Sequence, residues 1–436
     1  MLERKRKLDC ANGREKADLV LKNGNVLNVF TEEVLKADVA ICGDTIVGVG
    51  EYEGKEEIDC TGKYLVPGFI DAHMHIESCM AAPGELAKVL AKAGTTTIIA
   101  DPHEIVNVSG TKGMDYFLKC AAKLLVNVFF MVPSAVPATD VETNGCGEFL
   151  ASDMMKYVDN ARVLGLGETM RFMECCEGEK RMADKLELFA KKHIDGHAPG
   201  ILGKEVQAYR LAGVENDHEC STAEEVLDKL RAGLHIYVRE GSGAKNLETL
   251  IKTMLDAGVC LDRCAFCTDD KHVEEIRKEG HISTCIRKAI ALGVPVAKAY
   301  KMGSYQAAEF YGLKNYGAIG AGYRADIVFL DDLEQVRPLD VMKDGRILTE
   351  EDYAKDYSVP VPDELLHTGH VGEVTKEKIR LSCDGKTDVI QMNPHQIVTT
   401  HLVEEVPAEN GYFKSDGCAA ERVWRQRRRS GDFRCT

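Results

Sequence analysis

Several features that define large classes of proteins are scarce in this sequence. Its 436 residues include a single tryptophan, and aromatic residues make up only 6%. No apolar run approaches the roughly 20 residues that cross a bilayer, and the basic start of the chain lacks the apolar stretch of a signal peptide. An excess of basic charge is also lacking, since 70 acidic residues outnumber 55 Lys and Arg and give a formal net charge of −15, whereas a nucleic-acid-binding protein presents a basic face. We therefore expect a cytoplasmic protein without a nucleic-acid or membrane partner.

Cysteine, by contrast, is plentiful, with 16 residues scattered along the chain. In a chain without a secretion signal, reduced thiols are the default. Cys260, Cys264 and Cys267 have the CxxxCxxC spacing of the iron–sulfur cluster in radical enzymes that use S-adenosylmethionine. Those enzymes carry the motif in a loop after an early strand, whereas here it overlaps a late helix end and a strand. We interpret the three cysteines as small packing residues.

The pattern of apolar residues divides the chain into two kinds of structure. Residues 17–66 contain short β-type runs punctuated by Asn, Gly and Asp, which is typical of an antiparallel meander. From Pro67 to about Leu313, strands alternate with amphipathic helices, which predicts an α/β protein with a (β/α)8 TIM-type barrel. The strand candidates are residues 67–72, 96–101, 127–132, 163–167, 194–197, 214–217, 235–239 and 264–268.

The segment after the barrel is β-like again, over residues 317–330. Strands before and after a barrel most simply pair with each other, which predicts a small β domain built from both ends of the chain. Residues 418–436 carry six arginines and no lysine, and predict either a disordered basic tail or a sequence outside the native reading frame. The expected division is residues 1–66 and 317–345 for the small β domain, 67–316 for the barrel, 346–417 for the start of a C-terminal region and 418–436 for an atypical basic tail.

The most informative segment is Val66–His75, a buried strand that ends at two histidines spaced i, i+2. Alternate residues of a strand point to the same side, so His73 and His75 can share one ligand. In a barrel the chemistry lies at the C-terminal ends of the strands. The other predicted strand ends also carry ligating or acid–base groups: Asp101 and His103, Ser134, Glu168, His197, His218, Arg239 and Glu240, and Asp269.

Histidine and carboxylate groups suit divalent ions such as Zn, Mn and Fe. A carboxylate such as Glu168 can bridge two ions about 3.5–4 Å apart, and two ions lower the pKa of a trapped water enough to give hydroxide at neutral pH. Asp269, at the eighth strand, can accept the proton of that water and pass it to a leaving group. The pattern thus predicts a two-metal hydrolytic site.

These residues resemble the amidohydrolase superfamily and, more narrowly, its bacterial-type adenine deaminase family. The matching segments are Pro67–Ser78, Ala100–Ile105, Pro133–Thr139, Gly165–Glu168, Asp195–Gly200, Asp217–Cys220, Arg239–Ser242, Ala244–Leu247 and Phe266–Asp270. The resemblance implies hydrolysis of adenine to hypoxanthine and ammonia, as in purine salvage, with two divalent ions, Mn or Fe, and with Zn as the alternative. It also implies a small-molecule substrate and a homo-oligomer.

The resemblance further implies roles for individual residues. The metal ligands would be His73, His75, Glu168, His197, His218 and Asp269. Asp269 would be the proton shuttle, with His218 and Glu240 as further catalytic residues and with Arg239 and Ser242 binding the substrate. Asp101, His103 and Glu104 receive no specific role.

Two alternatives stay open from the sequence. A cyclic-amide hydrolase of the same superfamily, such as a dihydroorotase or hydantoinase, commonly has a carboxylated lysine at the fourth strand, where this chain has Glu168. An inactive remnant is the other alternative, because the family continues into a longer C-terminal region; a frameshift or truncation near residue 417 would account for the arginine-rich tail.

Overall fold

A computed structural model describes residues 2–369, 372–383 and 385–414; the tail predicted for residues 418–436 lies outside them. Its centre is a barrel of eight parallel strands, each short and buried. Five strands follow one another in one sheet and three in the next. The strands are β6 (Phe69–Met74), β7 (Thr95–Ala100), β8 (Asn127–Val132), β9 (Val163–Leu166), β10 (His193–Ile194), β11 (Asn216–Asp217), β12 (His235–Arg239) and β13 (Cys264–Cys267).

Backbone hydrogen bonds close the barrel at its two seams. The Glu215 amide donates to Ile194 O over 3.0 Å and joins β10 to β11. At the other seam, the Asp269 amide donates to His73 O over 3.0 Å and the His75 amide donates to Asp269 O over 3.1 Å. The first and last barrel strands therefore meet at the residues that carry the predicted chemistry.

One helix closes the opposite end of the barrel. The ring of Phe310 lies 5.0 Å from that of His193 and 4.5 Å from that of His235, which begin β10 and β12. The Tyr311 hydroxyl donates to the carboxylate of Asp195 over 2.7 Å. Because apolar and aromatic groups fill the N-terminal end, polar side chains are left to gather at the C-terminal rim.

A second sheet takes strands from both sides of the barrel in the sequence. Its strands are β1 (Ala17–Asn28), β2 (Glu33–Cys42), β3 (Thr45–Gly50), β4 (Gly54–Asp59), β5 (Tyr64–Pro67), β14 (Ile327–Leu330), β15 (Asp340–Lys343) and β16 (Arg346–Ile347). Strand β14 pairs antiparallel with β5, with Val328 opposite Val66. The prediction of a small β domain built from both ends of the chain is confirmed.

The expected antiparallel meander is wrong in one respect. Strands β1, β2 and β3 are antiparallel, but β4 and β5 both run parallel to β1. The cause is the length of β1, whose 12 residues shift their pairing register at an irregularity between Leu21 and Gly24. One edge of β1 thereby pairs with β4 over its first half and with β5 over its second.

Most of the helices surround the barrel, whereas α1 packs on the small sheet. They are α1 (Leu2–Ala11), α2 (Pro83–Lys92), α3 (His103–Ser109), α4 (Thr111–Ala121), α5 (Ala151–Met154), α6 (Phe172–Glu177), α7 (Lys180–Leu188), α8 (Lys204–Leu211), α9 (Ala223–Arg231), α10 (Leu247–Asp256), α11 (Val273–Glu279), α12 (Ile282–Ala291), α13 (Val296–Met302), α14 (Tyr305–Phe310), α15 (Glu350–Ala354), α16 (Asp363–Leu366) and α17 (Lys376–Ile379), with 3-10 turns at Glu77–Cys79, Met155–Tyr157 and Leu261–Arg263. Within the described ranges, no helix is both long and apolar enough to span a bilayer.

Two hairpins follow in the C-terminal region. They are formed by β17 (Lys386–Gln391) with β18 (Thr400–Glu405), and by β19 (Ala408–Glu409) with β20 (Tyr412–Phe413). The turn of the first hairpin reaches the barrel rim, because the Lys245 amide donates to His395 O over 3.1 Å.

The cysteine motif lies on and beside β13. Cys264 packs among the outer helices and Cys267 among the inner barrel residues, while Cys260 is exposed. Three residues apart on a strand, Cys264 and Cys267 point to opposite faces. The three thiols therefore do not converge on one cluster.

Candidate metal centre

Glu168 occupies the middle of the barrel rim, and its two carboxylate oxygens face different histidines. Oε1 lies 3.3 Å from His75 Nε2 and 3.1 Å from His103 Nδ1. Oε2 lies 2.6 Å from His197 Nδ1 and 3.2 Å from His218 Nε2. Glu168 follows β9 after Gly167, and its backbone amide donates to Asp101 Oδ2 over 2.8 Å, which holds it in place. One carboxylate therefore stands between two groups of imidazoles.

The two histidines of the first strand converge as their spacing predicts. His73 Nε2 and His75 Nε2 are 3.2 Å apart, and the ring of His73 stacks on that of His218 at 4.0 Å. His75 Nδ1 donates to Asp101 O over 2.8 Å. Such a bond fixes the tautomer of His75 and leaves the Nε2 lone pair free to bind a metal.

Asp269 faces the same point from the last strand. Its Oδ1 lies 3.0 Å from His75 Nε2 and 3.8 Å from His73 Nε2. Its backbone φ of 58° falls in the left-handed region, which Asp tolerates better than most residues. Arg239 Nη1 donates to Asp269 Oδ2 over 2.9 Å and also to Glu219 Oε1. One carboxylate oxygen of Asp269 is thus bound by protein, and the other faces the histidines.

Burial and neighbouring charges shift the pKa values of these groups in opposite directions. Burial would raise the pKa of Glu168, but His197, His103 and His218 outweigh it and hold that pKa well below its usual value. Burial would likewise raise the pKa of Asp269, yet His75, His218 and Arg239 lower it. Burial and the charge of Glu168 together raise the pKa of Asp101 to about 7. The rim therefore keeps its central carboxylates ionised, as a cation site requires.

Several buried polar atoms at the rim have no hydrogen-bond partner. Among the described residues they include His73 Nδ1, Asp101 Oδ1, Glu219 Oε2 and both ring nitrogens of His218. An unpaired buried polar atom costs free energy, so clustered ones indicate a site that binds a ligand. Five sets of side chains bring ligand atoms within 4.8 Å of one another: His73, His75 and Asp269; His73, Glu168 and His218; His75, His103 and Glu104; His197, His218 and Glu219; and Asp101, His103 and Glu168. The donor set fits divalent ions bound by nitrogen and oxygen.

Sequence reasoning left Glu219 without a role. It is fully buried, its Oε1 lies 3.3 Å from His218 Nε2 and 3.5 Å from His197 Nδ1, and it accepts a bond from Arg239. Its position directly after His218 was the signal, but only His218 was predicted as a site residue at the end of the sixth strand. His103 was likewise unassigned, although it contacts Glu168 directly.

The structure places the remaining predicted residues around the centre rather than in it. Glu240 Oε1 accepts a bond from Lys288 Nζ over 2.6 Å. The Ser242 hydroxyl accepts one from the His272 amide over 3.0 Å, which ties the loops after β12 and β13 together. The Ser134 hydroxyl donates to Glu168 O over 2.6 Å. Arg239 is fully buried and bonded to protein groups, so its predicted contact with substrate stays a prediction.

Comparison with known proteins identifies the family to which the chain belongs. The family model described as the amidohydrolase family matches residues 64–348. The chain belongs to the amidohydrolase family. The matched segment of this amidohydrolase contains all six predicted metal ligands. It also contains Arg239, which donates a hydrogen bond to Asp269.

Curated relatives place this amidohydrolase among the adenine deaminases. It is 46% identical over 402 residues to an adenine deaminase of Desulfitobacterium hafniense, covering 92% of this chain and 70% of that protein. It is 43% identical over 410 residues to adenine deaminase 2 of Carboxydothermus hydrogenoformans, covering 94% and 71%. An adenine deaminase of Clostridium acetobutylicum is also 43% identical, over 417 residues, with 94% and 72% covered.

Solved structures share the fold of this amidohydrolase at lower identity. An atrazine chlorohydrolase from Arthrobacter aurescens, complexed with zinc, matches with a TM-score of 0.57 at 15% identity, over 77% of this chain and 96% of that one. A beta-aspartyl dipeptidase from Fervidobacterium islandicum matches with a TM-score of 0.56 at 18% identity, over 78% and 98%. These likenesses establish the barrel fold.

Proposed function

We propose that this protein hydrolyses adenine to hypoxanthine and ammonia at a two-metal centre on the barrel rim. The observation that carries the proposal is the position of Glu168, whose two oxygens each face a separate group of histidines. A carboxylate so placed would be able to hold two ions at once. The curated relatives, which are adenine deaminases, supply the reaction.

The residues that would hold the ions are His73, His75, Glu168, His197, His218 and Asp269. The described residues near this point offer imidazole and carboxylate ligands and no thiolate, a set that suits Mn or Fe, with Zn as the alternative. When bound, such ions polarise water so that hydroxide is available at neutral pH. His75 is held in the ligating tautomer by Asp101 O, and Glu168 is held by the Asp101 carboxylate.

Asp269 is the group placed to move the proton. Deamination adds water to C6 of adenine and breaks the bond from C6 to the amino nitrogen, which leaves as ammonia. Of the two protons of the water, one must therefore travel to that nitrogen, and the other ends on ring nitrogen N1, which carries a hydrogen in hypoxanthine. The Asp269 carboxylate is ionised and so can accept the proton at Oδ1, while Arg239 holds Oδ2 in place. Transfer from Asp269 to the leaving amino group then completes the reaction.

A cyclic-amide hydrolase remains the less favoured reading. Its bridging group would be a carboxylated lysine at the fourth strand, whereas that position holds Glu168, and Glu168 has both histidine groups around it. The homo-oligomer and the cytoplasmic location expected from the sequence stay predictions.

Turnover of adenine by the full chain tests the proposal. We expect the chain, purified without metal and then reloaded with Mn, to convert adenine to hypoxanthine. The loss of adenine absorbance and the release of ammonia measure this conversion. The same preparation should leave dihydroorotate and hydantoin unchanged. Turnover of either cyclic amide without turnover of adenine would overturn the assignment, and so would a folded, metal-loaded chain that is inactive on adenine.

A further inference from the structure

Arg239 and Asn246 form a buried unit behind Asp269. The Arg239 guanidinium donates through Nη1 to Asp269 and Glu219, and through Nε and Nη2 to Asn246 Oδ1 over 3.3 and 3.0 Å. Both residues are fully buried. Because a guanidinium is planar, fixing its Nε and Nη2 edge also fixes the direction of Nη1. Asn246 therefore sets the angle at which Arg239 meets the proton shuttle.

The orientation of Asn246 is itself set from outside the barrel. Its backbone amide donates to Arg239 O over 3.1 Å. Its side-chain nitrogen Nδ2 donates to Gln396 Oε1 over 3.0 Å. Among the bonds described for Asn246, the one to Gln396 satisfies the Nδ2 donor. Without that bond, the buried amide would have an unpaired donor, which destabilises the fold.

Gln396 lies in the turn between β17 and β18, about 150 residues along the chain from Asn246. The turn is held in shape by Asn393, whose Nδ2 donates to Val398 O over 2.9 Å and whose carbonyl accepts the Gln396 amide over 3.2 Å. Its backbone meets the barrel next to Asn246, through the bond from the Lys245 amide to His395 O. The contact thus consists of two adjacent hydrogen bonds from a shaped turn.

We propose that Gln396 is a positioning residue for the deamination, acting through Asn246 and Arg239 on the Asp269 carboxylate. The proposal rests on the proposed function, since it assigns Asp269 the proton transfer. Gln396 lies outside residues 64–348, the segment that the amidohydrolase family model matches. The C-terminal hairpin therefore adds a supporting hydrogen bond to the active site, and this bond comes from outside the matched barrel segment.

The test compares substitutions that keep or remove the acceptor oxygen. Gln396→Met has nearly the same length and no strong acceptor, whereas Gln396→Glu retains the acceptor. Gln391→Ala is the matched control, because Gln391 is an exposed glutamine of the same hairpin. We expect Gln396→Met to lower kcat for adenine about tenfold, with KM within about twofold, because small displacements of a catalytic group are costly. Gln396→Glu should retain most of the kcat, and Gln391→Ala should match the wild type.

A second measurement does not depend on turnover. Hydrogen exchange of the metal-free protein, followed by mass spectrometry, should show faster exchange of the peptide containing Lys245 and Asn246 in Gln396→Met, with β8 unchanged as the internal reference. An unaltered kcat and unaltered exchange in Gln396→Met would overturn the proposal. Equal losses of kcat in Gln396→Met and Gln396→Glu, or a loss of kcat in Gln391→Ala, would overturn it as well. Failure of the wild type on adenine would instead count against the proposed function, and the exchange result would still decide whether the turn holds Asn246.

Discussion

Asp38 in the small β sheet and Glu168 at the barrel rim are both buried carboxylates, with exposed fractions of 6% and 2%. Asp38 accepts bonds from the Lys22 ammonium and from the backbone amides of Asn23 and Tyr52. Those partners are permanent donors, fixed by the fold or by a charge that persists at neutral pH. Glu168 instead faces imidazoles, whose nitrogens are donors or lone pairs according to protonation.

The difference separates a structural carboxylate from a ligating one. Around Asp38 the protein supplies each bond that the carboxylate requires. Around Glu168, both ring nitrogens of the neighbouring His218 lack a hydrogen-bond partner, although Nε2 lies 3.2 Å from Glu168 Oε2, and one oxygen of Asp101 lacks one as well. A fold that leaves such atoms buried and unpaired is less stable unless a ligand binds there. Substitutions at the two carboxylates should therefore affect different properties.

The largest effect is expected for Glu168→Gln. An amide has a single neutral oxygen acceptor in place of two anionic ones, so the link between the two histidine groups is lost. We expect kcat to fall by at least about 10³-fold, and Mn to stabilise the variant far less than the wild type. Thermal unfolding with and without Mn measures the second effect, because ligand at 100 times its Kd adds about 2.7 kcal/mol. Mn-dependent stabilisation equal to that of the wild type would show that Glu168 does not bind metal.

The next largest effect is expected for Asp269→Asn. The amide cannot accept the proton, so kcat should fall about 10³-fold, within the range for loss of a general acid–base group. The other predicted ligands remain, so most of the metal should stay bound, as measured by elemental analysis after desalting. Asp262→Asn, at an exposed Asp that pairs with Lys298 over 2.6 Å, is the control. Activity that survives in Asp269→Asn would assign the proton transfer to another group.

The smallest effect on activity, and the clearest on stability, is expected for Asp38→Asn. Burial would raise the pKa of Asp38, but Lys22 and the two backbone amides lower it. A carboxylate with a lowered folded-state pKa stabilises the fold above its unfolded pKa of about 4, and this contribution is lost as the pH falls below that value. The variant should therefore lose about 1–2 kcal/mol of unfolding free energy at pH 7. The difference in unfolding free energy between the wild type and the variant should narrow below about pH 4.

Urea unfolding at a series of pH values measures this, with Asp388→Asn as a control at an exposed site that pairs with His401. The kcat for adenine at pH 7 should be unchanged in the Asp38 variant. A difference in stability that is constant with pH would mean that the charge of Asp38 does not contribute to stability.

The barrel could be predicted because its signals are local and repeated. Most barrel strands are short apolar runs followed by a polar residue, and the predicted strands at 127–132 and 235–239 coincide with β8 and β12. The parallel pairing of β4 and β5 with β1 could not be predicted, because strand direction depends on distant partners. The only local sign in the sequence of the irregularity within β1 is the pair Asn23 and Gly24.

At the site, the convergence of His73, His75, Glu168, His197, His218 and Asp269 follows from topology, since parallel strands bring their carboxyl ends to one rim. Other contacts depend on side-chain packing and on loops that the sequence does not place. Examples are Glu219 beside His218, and the bond of Gln396 to Asn246 across about 150 residues. Periodicity carries no signal for a hydrogen bond between two distant loops.

The pairing of β14 with β5 has a consequence for the order in which the protein assembles. Val66 meets Val328 across about 260 residues, so the ribosome must make the whole barrel before the small sheet can be completed. At roughly 5–20 residues per second this takes on the order of tens of seconds. During that time the edge of β5 that later receives β14 lacks this partner. The nascent chain thus carries an open strand edge for as long as its catalytic barrel is being synthesised.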